Sequence, residues 1–176
     1  MKSPEEIFEI LKENFSESVL EIDDSLPTEP IIKIDPLKIH EVSQFLFENE
    51  DLKFDSLMNL SGVDDANGEK EKDENENLVI KGGTLSVYYH LYSFEHKHKV
   101  TLQVSTDRED PKVESVEPIW RTADWHEREA YDMFGIIFLN HPNLIRILMP
   151  YDWDAGFPLR KDYQNPEFYQ GMKVPY

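Results

Sequence analysis

The chain has 176 residues, with 18 Lys and Arg against 36 Asp and Glu, and it contains no cysteine. Its formal net charge of −18 argues against direct binding to nucleic acid or to an anionic lipid surface, because both need a basic protein surface. Without cysteine the chain forms no disulfide and no thiolate-ligated iron–sulfur cluster. No apolar run reaches the roughly 18 residues of a membrane span. The acidic N-terminus lacks the features of a signal or transit peptide, so we expect the chain to work where it is made.

The first third of the chain shows two helix starts and three short apolar runs. Residues 3–6, Ser-Pro-Glu-Glu, combine a cap, a first-turn proline and a capping-box glutamate, and residues 35–36, Asp-Pro, repeat the cap and proline. Residues 19–22 and 31–34 indicate two strands joined by a proline-containing turn, and residues 57–63 indicate a third strand.

The middle of the chain contrasts an acidic segment with a clear hairpin. Residues 64–77 have no apolar side chain larger than Ala66, which predicts a flexible loop. Residues 84–94 and 99–105 alternate apolar and polar side chains, which is typical of two paired strands. Residues 113–120 then predict a short helical turn. These elements indicate an α+β domain with a mixed or antiparallel sheet and helices packed on one face, followed by an extended C-terminal tail.

The stretch from 124 to 163 begins with a short helix whose two ends are marked. Asp124 is the expected N-cap, Glu127 completes a capping box, and Gly135 is the expected left-handed stop. At about 100° per residue, one helix face carries four larger side chains: Trp125, Arg128, Glu129 and Asp132. Two interpretations of this face remain open. It is either solvated, with a weak Arg128–Asp132 pair, or buried against a partner or the tail.

A strand-like run at 136–139 and a second apolar run at 144–149 follow this helix. From residue 150 the chain is rich in proline, glycine and aromatic residues without periodicity, so regular packing cannot bury it. We therefore expect one domain over residues 1–149 and an extended tail over 150–176 that lies on another surface.

No complete catalytic motif is present. His126-Glu127 suggests the first half of a zincin helix, but Ala130 stands where the second histidine is required. Glycine-rich phosphate loops and nucleophile elbows are also missing from the sequence. One alternative stays open, namely a stand-alone hydrolase or metal-binding protein that uses His126, Glu127, Glu129 and His141.

The succession of motifs in residues 127–163 resembles the 30 kDa subunit family of NADH:quinone oxidoreductase, which is respiratory complex I. The resemblance is ordered and without gaps over about forty residues. It rests on these elements: Glu127-Arg128-Glu129, Tyr131-Asp132-Met133-Phe134-Gly135-Ile136, Phe138, His141-Pro142, Leu144, Arg146-Ile147-Leu148 and Pro158-Leu159-Arg160-Lys161-Asp162-Tyr163. The chain departs from the family at Ile145, where members usually carry the first of two basic residues.

The resemblance implies a cofactor-free structural subunit in the peripheral arm of a proton-translocating complex. Other subunits would bind NADH, FMN, iron–sulfur clusters and quinone. The implied partners are the hydrogenase-like quinone-site subunit, which the tail would wrap, and adjacent iron–sulfur subunits. Membrane contact would occur only through the complex, on the cytoplasmic side of a bacterial inner membrane. Related subunits of membrane-bound hydrogenases are an alternative.

The same resemblance implies no catalytic, cofactor-binding or metal residues in this chain. The residues expected at partner interfaces are Glu127, Arg128, Glu129, Asp132, His141, Arg146, Arg160, Lys161, Asp162 and Tyr163.

Overall fold

The structure is a computed structural model that describes residues 1–25, 27 and 29–174. Its three helices are α1 (Pro4–Asn14), α2 (Ile39–Glu48) and α3 (Ala123–Phe134). The strands are β1 (Val19–Asp23), β2 (Ile31–Ile34), β3 (Ser56–Asp64), β4 (Glu69–Lys72), β5 (Leu78–Lys81), β6 (Thr84–Ser93), β7 (His98–Asp107), β8 (Lys112–Glu114), β9 (Ile137–Leu139), β10 (Phe168–Tyr169) and β11 (Met172–Lys173).

Five strands form the main sheet, in the order β1-β2-β7-β6-β3. The β2–β7 pair is parallel and the other three pairs are antiparallel, so the sheet is mixed. Strands β1 and β3 lie at the two edges. The predicted α+β class with a mixed sheet is confirmed.

The core lies on one face of this sheet. Alternate residues of β6 (Leu85, Val87, Tyr89 and Leu91) point into a single apolar cluster, as the period of two predicts. All three helices contribute to that same cluster, through Ile7 and Leu11 of α1, Val42 and Leu46 of α2, and Ala130 and Met133 of α3. The opposite face of β6 is only partly covered.

The two predicted N-terminal helix starts have different outcomes. The capping box of α1 is confirmed, because Ser3 Oγ accepts from the Glu6 amide and the Glu6 carboxylate accepts from the Ser3 amide. The second helix begins later than its cap-and-proline pattern predicts. Asp35 caps a turn by accepting from the Leu37 amide, and α2 begins only at Ile39.

The acidic segment 64–77 is not entirely a loop, which corrects that prediction. Asp64 ends β3, and β4 pairs antiparallel with β5 in a separate two-stranded hairpin. Both faces of β4 are exposed, so its Glu-Lys-Glu-Lys sequence shows no apolar alternation that would have revealed a strand. Its partner β5 supplies the buried side chain, Ile80.

Residues 113–120 are also corrected in part. The first of them belong to β8, which pairs parallel to β9. A helical turn follows only around residues 117–119, where the Ile119 amide donates to the Val116 carbonyl. At the C-terminal end β10 and β11 form a small hairpin, and residues 175 and 176 of the predicted tail lie outside the described residues. Within the described part of the chain no helix is both long and apolar enough to cross a bilayer.

Candidate functional site

Two glycines bring α3 close to the sheet and to the tail. A side chain at Gly62 of β3 would lie 2.8 Å from the Phe134 ring, so the absence of one lets α3 pack directly on β3. Gly135 ends α3 with φ +78°, as predicted. A Cβ at Gly135 would lie 2.5 Å from the ring of Phe157, so this glycine also admits the tail.

The start of α3 differs from the prediction. The N-cap position is Thr122, without a side-chain hydrogen bond, so Asp124 is not the cap. Asp124 instead pairs with Arg128, whose Nε lies 2.9 Å from Oδ1 and whose Nη2 lies 2.6 Å from Oδ2. The Arg128 guanidinium also stacks over Trp125, 4.5 Å from the ring centroid. The predicted Arg128–Asp132 pair is therefore wrong, because each residue bonds elsewhere.

Asp132 holds the chain that follows β9. Its Oδ1 accepts from Arg146 Nη1 at 2.8 Å, and its Oδ2 accepts from the amides of Ile147, Leu148 and Met149 at 3.0, 2.7 and 2.9 Å. Burial of Asp132 alone would raise its pKa, but these donors outweigh burial and lower the pKa. One buried carboxylate thus fixes residues 146–149 against α3.

Glu127 points into the interior rather than back to the helix start. Its side chain is fully buried, and it accepts from Ser115 Oγ at 2.6 Å and from the Val116 amide at 2.8 Å. Burial raises the pKa of Glu127 to about 8, in spite of these two donors, which lower it. The predicted capping box is therefore replaced by a bond between α3 and the segment after β8.

His141 lies beside this buried carboxyl group. Its Nδ1 accepts from the Asn143 amide at 3.0 Å, so the ring proton is on Nε2. Nε2 faces Asp124 Oδ1 at 3.3 Å and Glu127 Oε2 at 3.9 Å. His141 thereby ties the turn after β9 to α3.

A second network fastens the segment 157–163 to the sheet. Arg108 is buried and bridges two carboxylates, Asp64 through Nη1 and Asp162 through Nη2, each at 2.5 Å. Asp64 also accepts from the Lys161 amide at 2.8 Å, and Asp162 accepts from the Ile80 amide at 3.1 Å. Sequence reasoning missed Arg108 and Asp64, since they are distant along the chain and neither lies in a recognisable motif.

Arg160 adds a third link between this segment and α3. Its Nε donates to the Phe134 carbonyl at 2.7 Å, and its guanidinium lies 4.8 Å from the Phe157 ring centroid. The Leu159 amide donates to the Met133 carbonyl at 3.1 Å. Carbonyls that α3 leaves unpaired at its end are thus satisfied by the tail.

The predicted interface residues fall into three groups. Glu129 and Lys161 are exposed, seven others are buried or half-buried within the networks above, and Tyr163 is half-buried outside them. The segment that these networks hold also exposes apolar side chains among its polar ones. Large exposed side chains follow one another along residues 145–172, namely Ile145, Leu148, Tyr151, Leu159, Phe168 and Met172. We call these six residues the tail surface.

The four residues of the hydrolase or metal-binding alternative do not form one site. His126 and Glu129 line a groove beside β3, whereas Glu127 and His141 meet in the interior. Among the described residues, no group of three or more His, Asp or Glu side chains is arranged to hold a metal ion.

This α+β domain binds its own tail through buried charges, yet it leaves apolar side chains exposed along the tail. This combination is typical of a subunit of a larger assembly. Residues 32–169 match the family described as the respiratory-chain NADH dehydrogenase 30 kDa subunit. The chain belongs to this family.

Individual relatives agree with this assignment. Over 171 residues, 96% of this chain, it is 43% identical to the C subunit of NADH-quinone oxidoreductase from Chloroherpeton thalassium and 39% identical to that from Chlorobium phaeobacteroides. The match spans 64% of the first relative, less than two thirds of its length, and 93% of the second. A trypsin-resistant fragment of Nqo5 has the same fold, with a TM-score of 0.56 and 23% identity over 77% of this chain and 97% of the fragment.

Proposed function

We propose that this chain is a structural subunit in the peripheral arm of a proton-translocating NADH:quinone oxidoreductase. The arm would lie on the cytoplasmic side of a bacterial inner membrane, and the chain would meet the membrane only through the complex. The family match over residues 32–169 and the two relatives from NADH-quinone oxidoreductases support this assignment.

The tail surface is the observation that supports the structural role, because buried side chains of the domain hold it in place. Asp132, Arg108 and Arg160 fix residues 146–149 and 157–163 before any partner is bound. A surface that is already ordered costs less conformational entropy when it binds. The hydrogenase-like quinone-site subunit is the partner proposed for the tail, and adjacent iron–sulfur subunits are the partners proposed for the rest of the domain.

Electron transfer would take place entirely in those neighbours. They would bind NADH, FMN, iron–sulfur clusters and quinone, while this chain contributes alignment. The support from the chain itself is its composition, since it has no cysteine to ligate a cluster.

Affinity purification of the tagged chain from detergent-solubilised membranes of the cells that make it tests this function. We expect the quinone-site and iron–sulfur subunits to co-purify in stoichiometric amounts, with NADH:quinone activity in the eluate. The chain purified alone should show no flavin or iron–sulfur absorbance. Hydrogenase subunits in place of NADH-oxidising ones, or recovery of the chain without partners, would overturn the proposal.

A further inference from the structure

A groove of about 270 Å³ runs between the edge strand β3 and α3. Residues 59–62 of β3 line its floor, and His126 and Glu129 of α3 line its wall. Leu159 of the tail closes one part of it. None of the buried networks described above uses these wall residues.

The backbone along the floor is unpaired on its outer side. Among the described strands, β3 pairs with β6 alone. Apart from that ladder, no backbone hydrogen bond from the described part of the chain reaches residues 58–63. In an antiparallel pair every second residue directs its N–H and C=O away from the partner strand. The four floor residues, which span about 13 Å, therefore present free backbone donors and acceptors at every second position.

Strand edges of this kind are usually protected by charge, proline or a bulge. β3 has a bulge between Leu57 and Asn59, but the register from Asn59 to Asp64 is regular and contains neither proline nor an outward-facing lysine. The regular part coincides with the groove. A free edge beside a helix is the geometry in which an extended peptide adds a strand.

The wall of the groove indicates the charge of the occupant. Glu129 is exposed, and within the described residues it makes no ion pair and no side-chain hydrogen bond. A cationic side chain on an added strand would complement it.

We propose that this groove binds an extended segment of a neighbouring subunit, which adds a sixth strand beside β3 and places a Lys or Arg side chain against Glu129. The inference rests on the proposed function in one respect, since the strand comes from the same assembly.

Amide hydrogen exchange distinguishes strand addition from mere covering by side chains. In the free chain, the amides of residues 59–63 that donate hydrogen bonds to β6 should exchange slowly. The alternate amides, which point outward, should exchange quickly. In the purified complex the outward set should slow by at least about tenfold, so that both sets are protected. Glu129→Lys should lower the yield of complex, whereas Glu9→Lys makes the same charge change at an exposed position of α1 and should not.

Each other outcome overturns the inference in a recognisable way. If the chain is recovered in the complex but its outward amides exchange as in the free chain, the added strand is refuted and the proposed function stands. Recovery of no complex refutes both. Protection of the free chain that grows with its concentration would show a second copy in the groove instead. Full assembly of Glu129→Lys would refute the charge complementarity.

Discussion

Asp132 shows how one side chain organises the C-terminal third of the molecule. Its carboxylate is fully buried and satisfies three consecutive amides and one guanidinium. The lowered pKa of Asp132 means that it is charged at neutral pH, and this stabilisation is lost as the pH falls from the ordinary aspartate pKa of 3.8 through that lowered pKa.

Asp132→Ala should lower the free energy of unfolding by about 2–4 kcal/mol, because it leaves Arg146 and three amides without their acceptor. Glu129→Ala on the same helix should change it by less than about 0.5 kcal/mol, since that side chain is exposed and unpaired among the described residues. Urea unfolding of the free chain at neutral pH measures both. Equal effects of the two substitutions would contradict the anchoring role.

For Glu127 we expect the opposite effect of pH on the free energy of unfolding. Its pKa is raised by burial from 4.5 to about 8, so between these values the folded chain binds more protons than the unfolded chain. The free energy of unfolding should therefore fall as the pH rises, by up to about 1.4 kcal/mol per pH unit from this group.

Glu127→Gln should remove that fall, because the neutral amide still reaches Ser115 and the Val116 amide. The difference in free energy of unfolding between the variant and the original chain should thus grow steadily from pH 5 to pH 8. Urea titrations at four pH values measure it, and contributions from other groups cancel in the difference. Parallel pH profiles for the two chains would show that Glu127 is ionised throughout.

At the scale of elements, the segment 157–163 is attached to the sheet by side chains rather than by strand pairing. Arg108 is nearly unexposed, while the Asp162 side chain is 20% exposed, so Asp162 is the outer and more easily released member. Opening this attachment would free the backbone at Arg160 and Lys161, both of which are trypsin sites.

Asp162→Ala should accelerate tryptic cleavage after Arg160 and Lys161 by about tenfold, corresponding to a loss of about 1.4 kcal/mol in holding the segment closed. Asp154→Ala is the matched control, because it removes an exposed carboxylate from the same region. Mass spectrometry of a digestion time course measures the cleavage rate at each site. If both variants are cleaved at the same rate as the original chain, the contact of Asp162 with Arg108 does not hold the segment.

The sequence predicted those elements whose signals are local. The alternation in β6 and β7 reflects a sheet with one buried face, and Ser3 and Gly135 act within their own turns. The sequence-based prediction failed where another residue competes for the same carboxylate. Asp124 and Glu127 fit a capping box, but Arg128 and Ser115 compete for their carboxylates and win.

The candidate site was predicted only as a set of residues, not as an arrangement. Arg108 and Asp64 have no local pattern that marks them, because they are brought to Asp162 by strands far apart in the chain. The strand β4 was hidden for a different reason, since both its faces are solvated and no periodicity in hydrophobicity results.

At the scale of the whole molecule, a net charge of −18 coexists with apolar side chains exposed along the tail. Exposed apolar side chains of this kind are what a partner surface would cover, as proposed above. We propose that the domain holds the tail surface in place and that a neighbouring subunit of the oxidoreductase buries it.

The most direct test compares assembly with stability for one triple variant. Leu148→Ser, Tyr151→Ser and Phe168→Ser together should reduce the yield of complex on a native gel by at least about tenfold, while the Tm of the free chain stays within about 3 °C. The control combines Leu20→Ser, Leu37→Ser and Phe94→Ser, which are also exposed but lie outside the tail surface, and it should assemble normally. Normal assembly of the tail variant would contradict the account.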